Sequence, residues 1–551
     1  MSISGPPPEN SAGSDAQANP PVGPRHAAPK KRRRFWPSKR WVQIVLSLCL
    51  VLALIVIAGS GYLYWESTRV NRIDVQNLTN APSTGQAAGT ENILLVGSTS
   101  RCALTVQNPA YGLCSQGVTG VNSDVIMILH LDWTTSKVTI LSIPRDTFIP
   151  NARSSGAQKI DAALAEGPSQ LVKAIEQDFA IPIQHYVELN FQTFAEVVDA
   201  LGGVSMYFPT PVYDAYSGLR QLTTGCVHLT GIEALQVVRA RHLQYQTATS
   251  GTNPANWPQE SLSDLARIRR DHEFLKVLGA TVKAQGLTNP ITDTKIISSV
   301  APHLTVDSGF STSHMASMVL HFQNVDIGSV PELTLPVMTS TSYSYIYKGS
   351  DYGNVTFPIN YADNGTILAF LHESLYTNTM TGKPLPKWQV TTVSIQNGSG
   401  KSGEGQTAAS QLQYLGFHIG SVEDTTPVGN PAETVITYNS LNPDVVAQAQ
   451  NAERVISGQS ILAYDPTMTA PVTVVLGTNW YIPLATPSPT TTTAPVTSTT
   501  TKAKGHSTST TTPPTTTTIP PVPGFAAPNP AVTTLQPWDP RSCTASGGKG
   551  K

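Results

Sequence analysis

The sequence contains no HExxH helix, no G-x-S-x-G elbow and no P-loop, which removes the zinc-protease, serine-hydrolase and P-loop nucleotidase readings. No two of its five cysteines have C-x-x-C spacing, and its twelve histidines do not recur at metal-binding spacing, so no zinc site is expected. Charge is scarce: 13% of residues are charged, where about 25% is usual. A Thr/Pro-rich tail accounts for part of that deficit. The formal net charge of -1 leaves no basic excess to suggest a nucleic-acid partner. Between Ala174 and Leu275 there is no lysine at all.

The hydrophobic fraction, 40%, is that of an ordinary globular core, and 551 residues are too many for one compact domain. What charge there is lies unevenly. Lys30, Lys31, Arg32, Arg33, Arg34, Lys39 and Arg40 precede an apolar run from Trp41 to Trp65 that carries no charge. As a helix, Val42 to Tyr64 would be roughly 35 Å long, enough for the ~30 Å of hydrocarbon in a bilayer. Trp41, Tyr62, Tyr64 and Trp65 sit at its ends, where an aromatic belt belongs. The basic side should be cytoplasmic. An uncleaved single-pass anchor in the cell membrane is therefore expected, with the bulk of the chain extracytoplasmic. The expected order is a disordered basic arm (1–40), a transmembrane helix (41–65), a stalk (66–90), a large α/β domain (91–375), a small α/β domain (388–482) and a disordered Thr/Pro tail (485–551).

Asn92–Val96, Val125–Leu129 and Val138–Ile143 are continuous apolar runs, the mark of strands covered on both faces. Ser169 is placed to cap a helix through Leu171, Ile175 and Phe179, and Asn190 to cap another ended by Gly202-Gly203. Tyr186–Leu189 and Val204–Phe208 read as further strands. The class is α/β, an α/β/α sandwich around a mixed central sheet. Cys102 and Cys114 bracket a short loop and are the expected disulfide in an oxidising compartment, while Cys226 and Cys543 have no evident partners.

The chemistry-bearing signal is a run of arginines: Arg220, Arg239, Arg241, Arg267, Arg269 and Arg270. A guanidinium offers a planar fork of donors that grips phosphate or carboxylate oxygens in bidentate fashion. Asp264, Arg267 and Arg270 are spaced by three, which places them together on a helix. Arg145, Arg101 and Asp124 stand at predicted strand ends, in Ser142-Ile-Pro-Arg-Asp-Thr147, Gly97-Ser-Thr-Ser-Arg101 and Asn122-Ser-Asp124. Ligands of open α/β sheets bind at the carboxyl ends of strands. A carboxylate among such arginines is what a magnesium–diphosphate site needs. Ordinary surface ion pairing is the competing reading of the same spacing.

These segments, in this order, resemble the LytR–CpsA–Psr family of cell-envelope enzymes. The resemblance rests on Asn92–Gly97, Ser123-Asp124, Ser142–Thr147, Lys159–Ala163, His185–Asn190, Val198–Val204, Arg239–His242 and Asp264–Arg270. Residues 388–482 look like the C-terminal domain often attached in actinobacterial members. The family moves a glycopolymer from a polyprenyl-diphosphate carrier onto peptidoglycan. The resemblance implies that Arg101, Arg145, Arg239, Arg241, Arg267 and Arg270 bind the diphosphate and that Asp124 holds magnesium. It implies that Asp264 acts as a base or orients an arginine. Two positions depart from the family pattern: Thr99 stands where an aspartate that ligates magnesium is usual, and Asp271 where glutamine is usual. A lipid-diphosphate hydrolase and a non-catalytic glycolipid-binding protein are the rival readings.

Overall fold

The computed structural model describes residues 70–81, 87–99, 114–117, 120–284, 303–339, 344–358, 366–373, 377–425, 433–458, 460–478, 480–482 and 534–543, all within one unit, Leu63–Lys551. The expected membrane span, 41–65, lies outside the described residues. Among these, no helix is long and apolar enough to cross a membrane.

Seven strands form the central sheet: β1 (Asn71–Ile73), β2 (Thr90–Ser98), β3 (Ser123–Asp132), β4 (Lys137–Ser142), β5 (His185–Asn190), β6 (Thr305–Asp307) and β7 (Glu332–Thr334). Their order is β1-β6-β5-β2-β3-β4-β7. β2 runs parallel to β5 and antiparallel to β3, and β3 antiparallel to β4. The carboxyl ends of β2, β4 and β5 therefore share one edge of the sheet. Side chains alternate between faces. Leu94, Val96, Ile126 and Ile128 pack into a core with α1 (Pro168–Phe179) through Leu171, Val172 and Ile175. Ile93, Leu95, Leu129 and Leu131 pack on the other side with α5 (Thr312–Phe322) through Met315, Met318 and Phe322. Both faces are covered, which is why these strands are apolar without interruption.

The local signals are met in detail at α2 (Phe191–Ala200). Asn190 Oδ1 accepts the Thr193 N–H at 3.0 Å, and the Asn190 N–H donates to Thr193 Oγ1 at 2.8 Å. Gly203 follows with φ 84°, and a Cβ there would lie 2.6 Å from Leu229 O, so only glycine fits. α1 departs from expectation. It starts at Pro168 after Gly167, and Ser169 Oγ instead accepts the Gln76 N–H at 2.9 Å. Proline at the first helical position already removes one unpaired donor. α3 (Gly231–Arg239) begins with a capping box between Thr230 and Glu233, and α4 (Asp264–Ala284) follows the 242–261 segment.

The small domain has a five-stranded sheet of β8 (Thr392–Asn397), β9 (His418–Asp424), β10 (Thr434–Tyr438), β11 (Ser460–Tyr464) and β12 (Val472–Leu476), ordered β9-β8-β12-β10-β11. α6 (Glu404–Leu415) and α7 (Pro443–Glu453) complete it. It docks on α1: Ile461 belongs to the core of the large domain and Ala180 to that of the small one. Tyr438 Oη donates to Gln177 O at 2.9 Å, and Asn151 Nδ2 to Tyr464 O at 3.1 Å.

The reading of the whole 485–551 tail as a disordered spacer is corrected for residues 534–543. Arg541–Ser542 adds a strand to Val204–Phe208, pairing with Tyr207 and Met206. Cys543 is disulfide-bonded to Cys226, so the two cysteines without evident partners are partners of each other. The Trp538 ring stacks on Tyr245 at 4.0 Å, and the Ser542 N–H donates to Glu273 Oε1 at 2.6 Å. A Thr/Pro composition hid a ten-residue segment with its own Trp, Asp, Arg and Cys. Cys114 is also disulfide-bonded, while Cys102, its expected partner, lies outside the described residues.

Candidate active site

At the shared carboxyl edge, the loop after β4 carries Arg145 and Asp146, and the start of β3 carries Asp124. Arg145 Nη1 is bonded to Asp124 Oδ1, and Arg145 Nη2 lies 2.8 Å from Asp161 Oδ2. Arg241 Nη2 lies 3.0 Å from Asp146 Oδ2, and its Nε 3.3 Å from Asp264 Oδ1. Arg267, one turn into α4, lies 3.0 Å from Asp264 Oδ1 and 3.5 Å from Asp271 Oδ2, and donates to the backbone oxygen of Asp124. The Arg239 guanidinium stands 4.4 Å above the Phe191 ring, at the carboxyl end of β5, a cation–π contact. Arg145, Arg239, Arg241, Arg267, Asp124 and Asp264, drawn from four separate stretches of chain, thus gather at one edge. Arg101 lies outside the described residues.

Arg270 is a correction. Its Nη1 lies 2.5 Å from Glu260 Oε2 and 3.3 Å from Asp539 Oδ1, and its Nη2 donates to Ala240 O at 2.5 Å. Arg269 lies beside it, its Nε 2.7 Å from Asp539 Oδ2 and its Nη2 bonded to Glu260. These two arginines, 1% exposed each, anchor the C-terminal segment rather than an anion. The cause is helical geometry. At about 100° per residue, Arg267 and Asp271 stay close to the azimuth of Asp264, whereas Arg270 is turned about 120° from it.

Two site residues, Lys159 and Asp161, carried no role in the sequence reading, and a third, Asp271, entered it only as a departure from the family. Lys159 Nζ lies 3.2 Å from Asp146 Oδ1, Asp161 holds Arg145, and Asp271 faces Arg267. Lys159 and Asp161 fall inside one of the quoted motifs, and that was the only available signal for them. Thr99 is buried; its Oγ1 accepts the Asn122 N–H at 2.9 Å and reaches Gly120 O at 3.5 Å. Its hydroxyl ties down the loop that leads into Asp124.

The electrostatics follow from five carboxyls (Asp124, Asp146, Asp161, Asp264, Asp271) packed around Arg145, Lys159, Arg241 and Arg267. Burial pushes Asp161 up to about 6 and Asp271 up to about 7, and the neighbouring arginines do not bring them back. Burial also acts upward on Asp146, but Arg145, Arg241 and Lys159 outweigh it and hold that carboxyl below its ordinary range. Oδ1 of Asp264 is ion-paired to Arg241 and Arg267, while its Oδ2 is buried with no hydrogen-bond partner. An unpartnered carboxylate oxygen, with the Asp124 carboxylate on the same edge, suits a hard divalent cation. The arginines in turn are held in place by the acids, ready to turn their forks to an incoming polyanion.

Residues 64–357 match the LytR_cpsA_psr family, and residues 390–480 match the family described as LytR cell envelope-related transcriptional attenuator. The chain is 33% identical over 314 residues to a probable cell wall biosynthesis protein, LcpB, of Corynebacterium glutamicum, covering 56% of this chain and 66% of that one. It is 28% identical over 435 residues to the cell wall biosynthesis protein LcpA of the same organism, covering 71% and 76%. It is 26% identical over 193 residues to TagU of Bacillus cereus, named a polyisoprenyl-teichoic acid–peptidoglycan teichoic acid transferase, covering 35% and 61%. The matched stretches thus span just under two thirds of LcpB and less of TagU. A solved LytR-Csp2A-Psr enzyme from Actinomyces oris shares 25% identity over 49% of this chain and 88% of its own, with a TM-score of 0.39.

Proposed function

The chain belongs to the LytR–CpsA–Psr family, and from that premise we propose that it transfers a glycopolymer from a polyprenyl-diphosphate carrier to peptidoglycan. The observation that carries the reading is the convergence of Arg145, Arg241 and Arg267 with Asp264 at the carboxyl edge of the sheet. Phosphoryl transfer asks a protein mainly for positioning and charge neutralisation. Arg145, Arg239, Arg241 and Arg267 grip the diphosphate oxygens. A muramic-acid hydroxyl oxygen bonds to the phosphorus nearer the sugar. The bond from that phosphorus to the bridging oxygen breaks, and polyprenyl phosphate leaves with the electron pair. Asp264 fixes Arg241 and Arg267 through Oδ1, and its unpartnered Oδ2 can take the hydroxyl proton. The carboxylates of Asp124 and Asp264 fit the magnesium that the family implies: Asp124 would hold it, and it would supply positive charge at the diphosphate. Thr99 contributes no carboxylate to such an ion. A membrane anchor at 41–65, with the two domains on the extracytoplasmic side, brings the site to its lipid-linked donor.

The test is the purified full chain with a synthetic polyprenyl-diphosphate glycan, a peptidoglycan oligomer and magnesium. Covalent product is expected, and Arg241→Ala should lower its rate by on the order of a hundredfold or more. Free polymer in the presence of acceptor would replace the transferase by a hydrolase. Tight donor binding without turnover would leave a glycolipid-binding protein.

A further inference from the structure

The opposite edge of the sheet holds a second constellation. Glu91 is the second residue of β2, His185 opens β5, and His314 lies on α5; the ligand atoms of all three fall within 4.8 Å of one another. His185 Nε2 is 3.2 Å from Glu91 Oε1, and His314 Nε2 is 2.9 Å from Glu91 Oε1 and 3.0 Å from Oε2. From Glu91 to Ser98 a strand advances on the order of 20 Å, at ~3.3 Å per residue, so this is not part of the anion site. We propose that Glu91, His185 and His314 bind a divalent transition-metal ion of the zinc class, through two imidazole nitrogens and one carboxylate, with a further position open to water.

Three observations carry this. The first is spacing. Ligand atoms ~2.0–2.1 Å from a tetrahedral ion stand about 3.3 Å apart, close to the separations from Glu91 to each ring. The second is orientation. Asp307 Oδ2 lies 3.0 Å from His185 Nδ1 and also accepts the Tyr186 N–H at 3.0 Å, while Trp133 Nε1 donates to Glu91 Oε2 at 2.9 Å. A carboxylate behind an imidazole is the usual outer partner of a metal-bound histidine, and it fixes ring and tautomer alike. The third is the company of carboxyl groups. Glu91 and Asp307 flank His185 at 3.2 Å and 3.0 Å, with side chains only 4% and 2% exposed. A divalent cation held by Glu91 and the two rings would offset acidic groups buried that closely together.

Access and surroundings agree with this reading. The Glu91 side chain is 4% exposed, that of His185 17% and that of His314 37%, so the ion would sit at the surface end of a buried ligand. The Phe310 ring stacks on His185 at 4.2 Å and walls one side. Bound there, the ion would fasten α5 to the ends of β2 and β5. The two histidines lie on elements far apart in the chain, which is why no metal spacing appears in the sequence.

The full chain, stripped with a chelator, is titrated with cobalt(II) alone and then with zinc in magnesium-free buffer. One equivalent should bind with visible d–d absorption, zinc should displace it, and zinc should raise the melting temperature. His314→Ala should abolish the band and the shift, and Asp124→Asn should leave both unchanged. His314 is partly exposed, so its truncation leaves the core intact, which circular dichroism checks. X-ray absorption of the zinc-loaded wild type needs no variant and should show two imidazole shells. No binding by the wild type, an all-oxygen or sulfur shell, or undiminished binding in folded His314→Ala would each overturn the site. An imidazolium at His185, bridging Glu91 and Asp307 without a metal, corresponds to the first of these.

Discussion

Asp271 shows how burial changes what a residue does. A carboxylate beside a diphosphate site repels it, yet burial lifts Asp271 to about 7, so that below that pH it is largely uncharged. A raised carboxyl loses its proton as pH rises through its folded value, so the repulsion switches on above about 7. Transfer by the wild type should therefore fall on the alkaline side, by on the order of ten- to a hundredfold in kcat/KM once the charge is fully present. Asp271→Asn should remove that limb of the profile. An unchanged limb in the variant would assign it to another group. The sequence reading singled out Asp271 as a departure from the family but had no means of knowing its protonation state, because burial is a property of the assembled fold. Arg145, Arg241 and Asp264 were legible because strand ends and helix starts fix where they stand. The assignment of Arg270 failed because spacing by three stops describing one face after two steps.

At the level of elements, the strands and helices that position the site could be read from apolar runs and caps, since both signals are local. β1, β6, β7, β9 and β11 went unread, the first three because three residues are too few to show an alternation. β9 is a mostly exposed edge strand, and β11 is defined by its docking against the large domain. That docking has its own chemistry. Asp178 at the end of α1 and Glu433 before β10 are buried facing one another, and burial raises both well above the carboxyl range, their mutual repulsion adding to the rise at Glu433. Burial also lifts Glu176 to about 8. All three bind protons in the folded chain at pH values where the unfolded chain, with carboxyls near ~4, has lost them. Stability should therefore decline as pH rises above about 4, for Glu176 until about 8, by up to ~1.4 kcal/mol per pH unit for each group that stays protonated. Denaturant unfolding at pH 5 and pH 8 measures this. Asp178→Asn should shrink the difference, and an equal slope in wild type and variant would show that these carboxyls ionise freely.

On the scale of the molecule, the C-terminal segment is what composition concealed most completely. Asp539 is fully buried between Arg269 and Arg270, which it shares with Glu260. Removing one member of a buried charge set leaves the others unpaired and typically costs ~3–5 kcal/mol. Asp539→Ala should therefore lower the melting temperature, and Cys543→Ser should do so separately by releasing a closure of 317 residues. Calorimetry on the two variants checks both. A melting temperature unmoved by either would mean that the segment contributes nothing to the folded state.

The same bond alters the covalent topology. The main chain from Cys226 to Cys543 is a ring, and the Thr/Pro stretch between Ile482 and Thr534 is an arc of it, fixed at both ends. A single proteolytic cut anywhere in that arc leaves one molecule on a non-reducing gel and two fragments on a reducing one. Its reach is also limited. An arc held at both ends extends no farther than half its contour, on the order of 90 Å for its length at full extension. Anything gripping it from outside would pull on the Cys226–Cys543 bond and the small domain together.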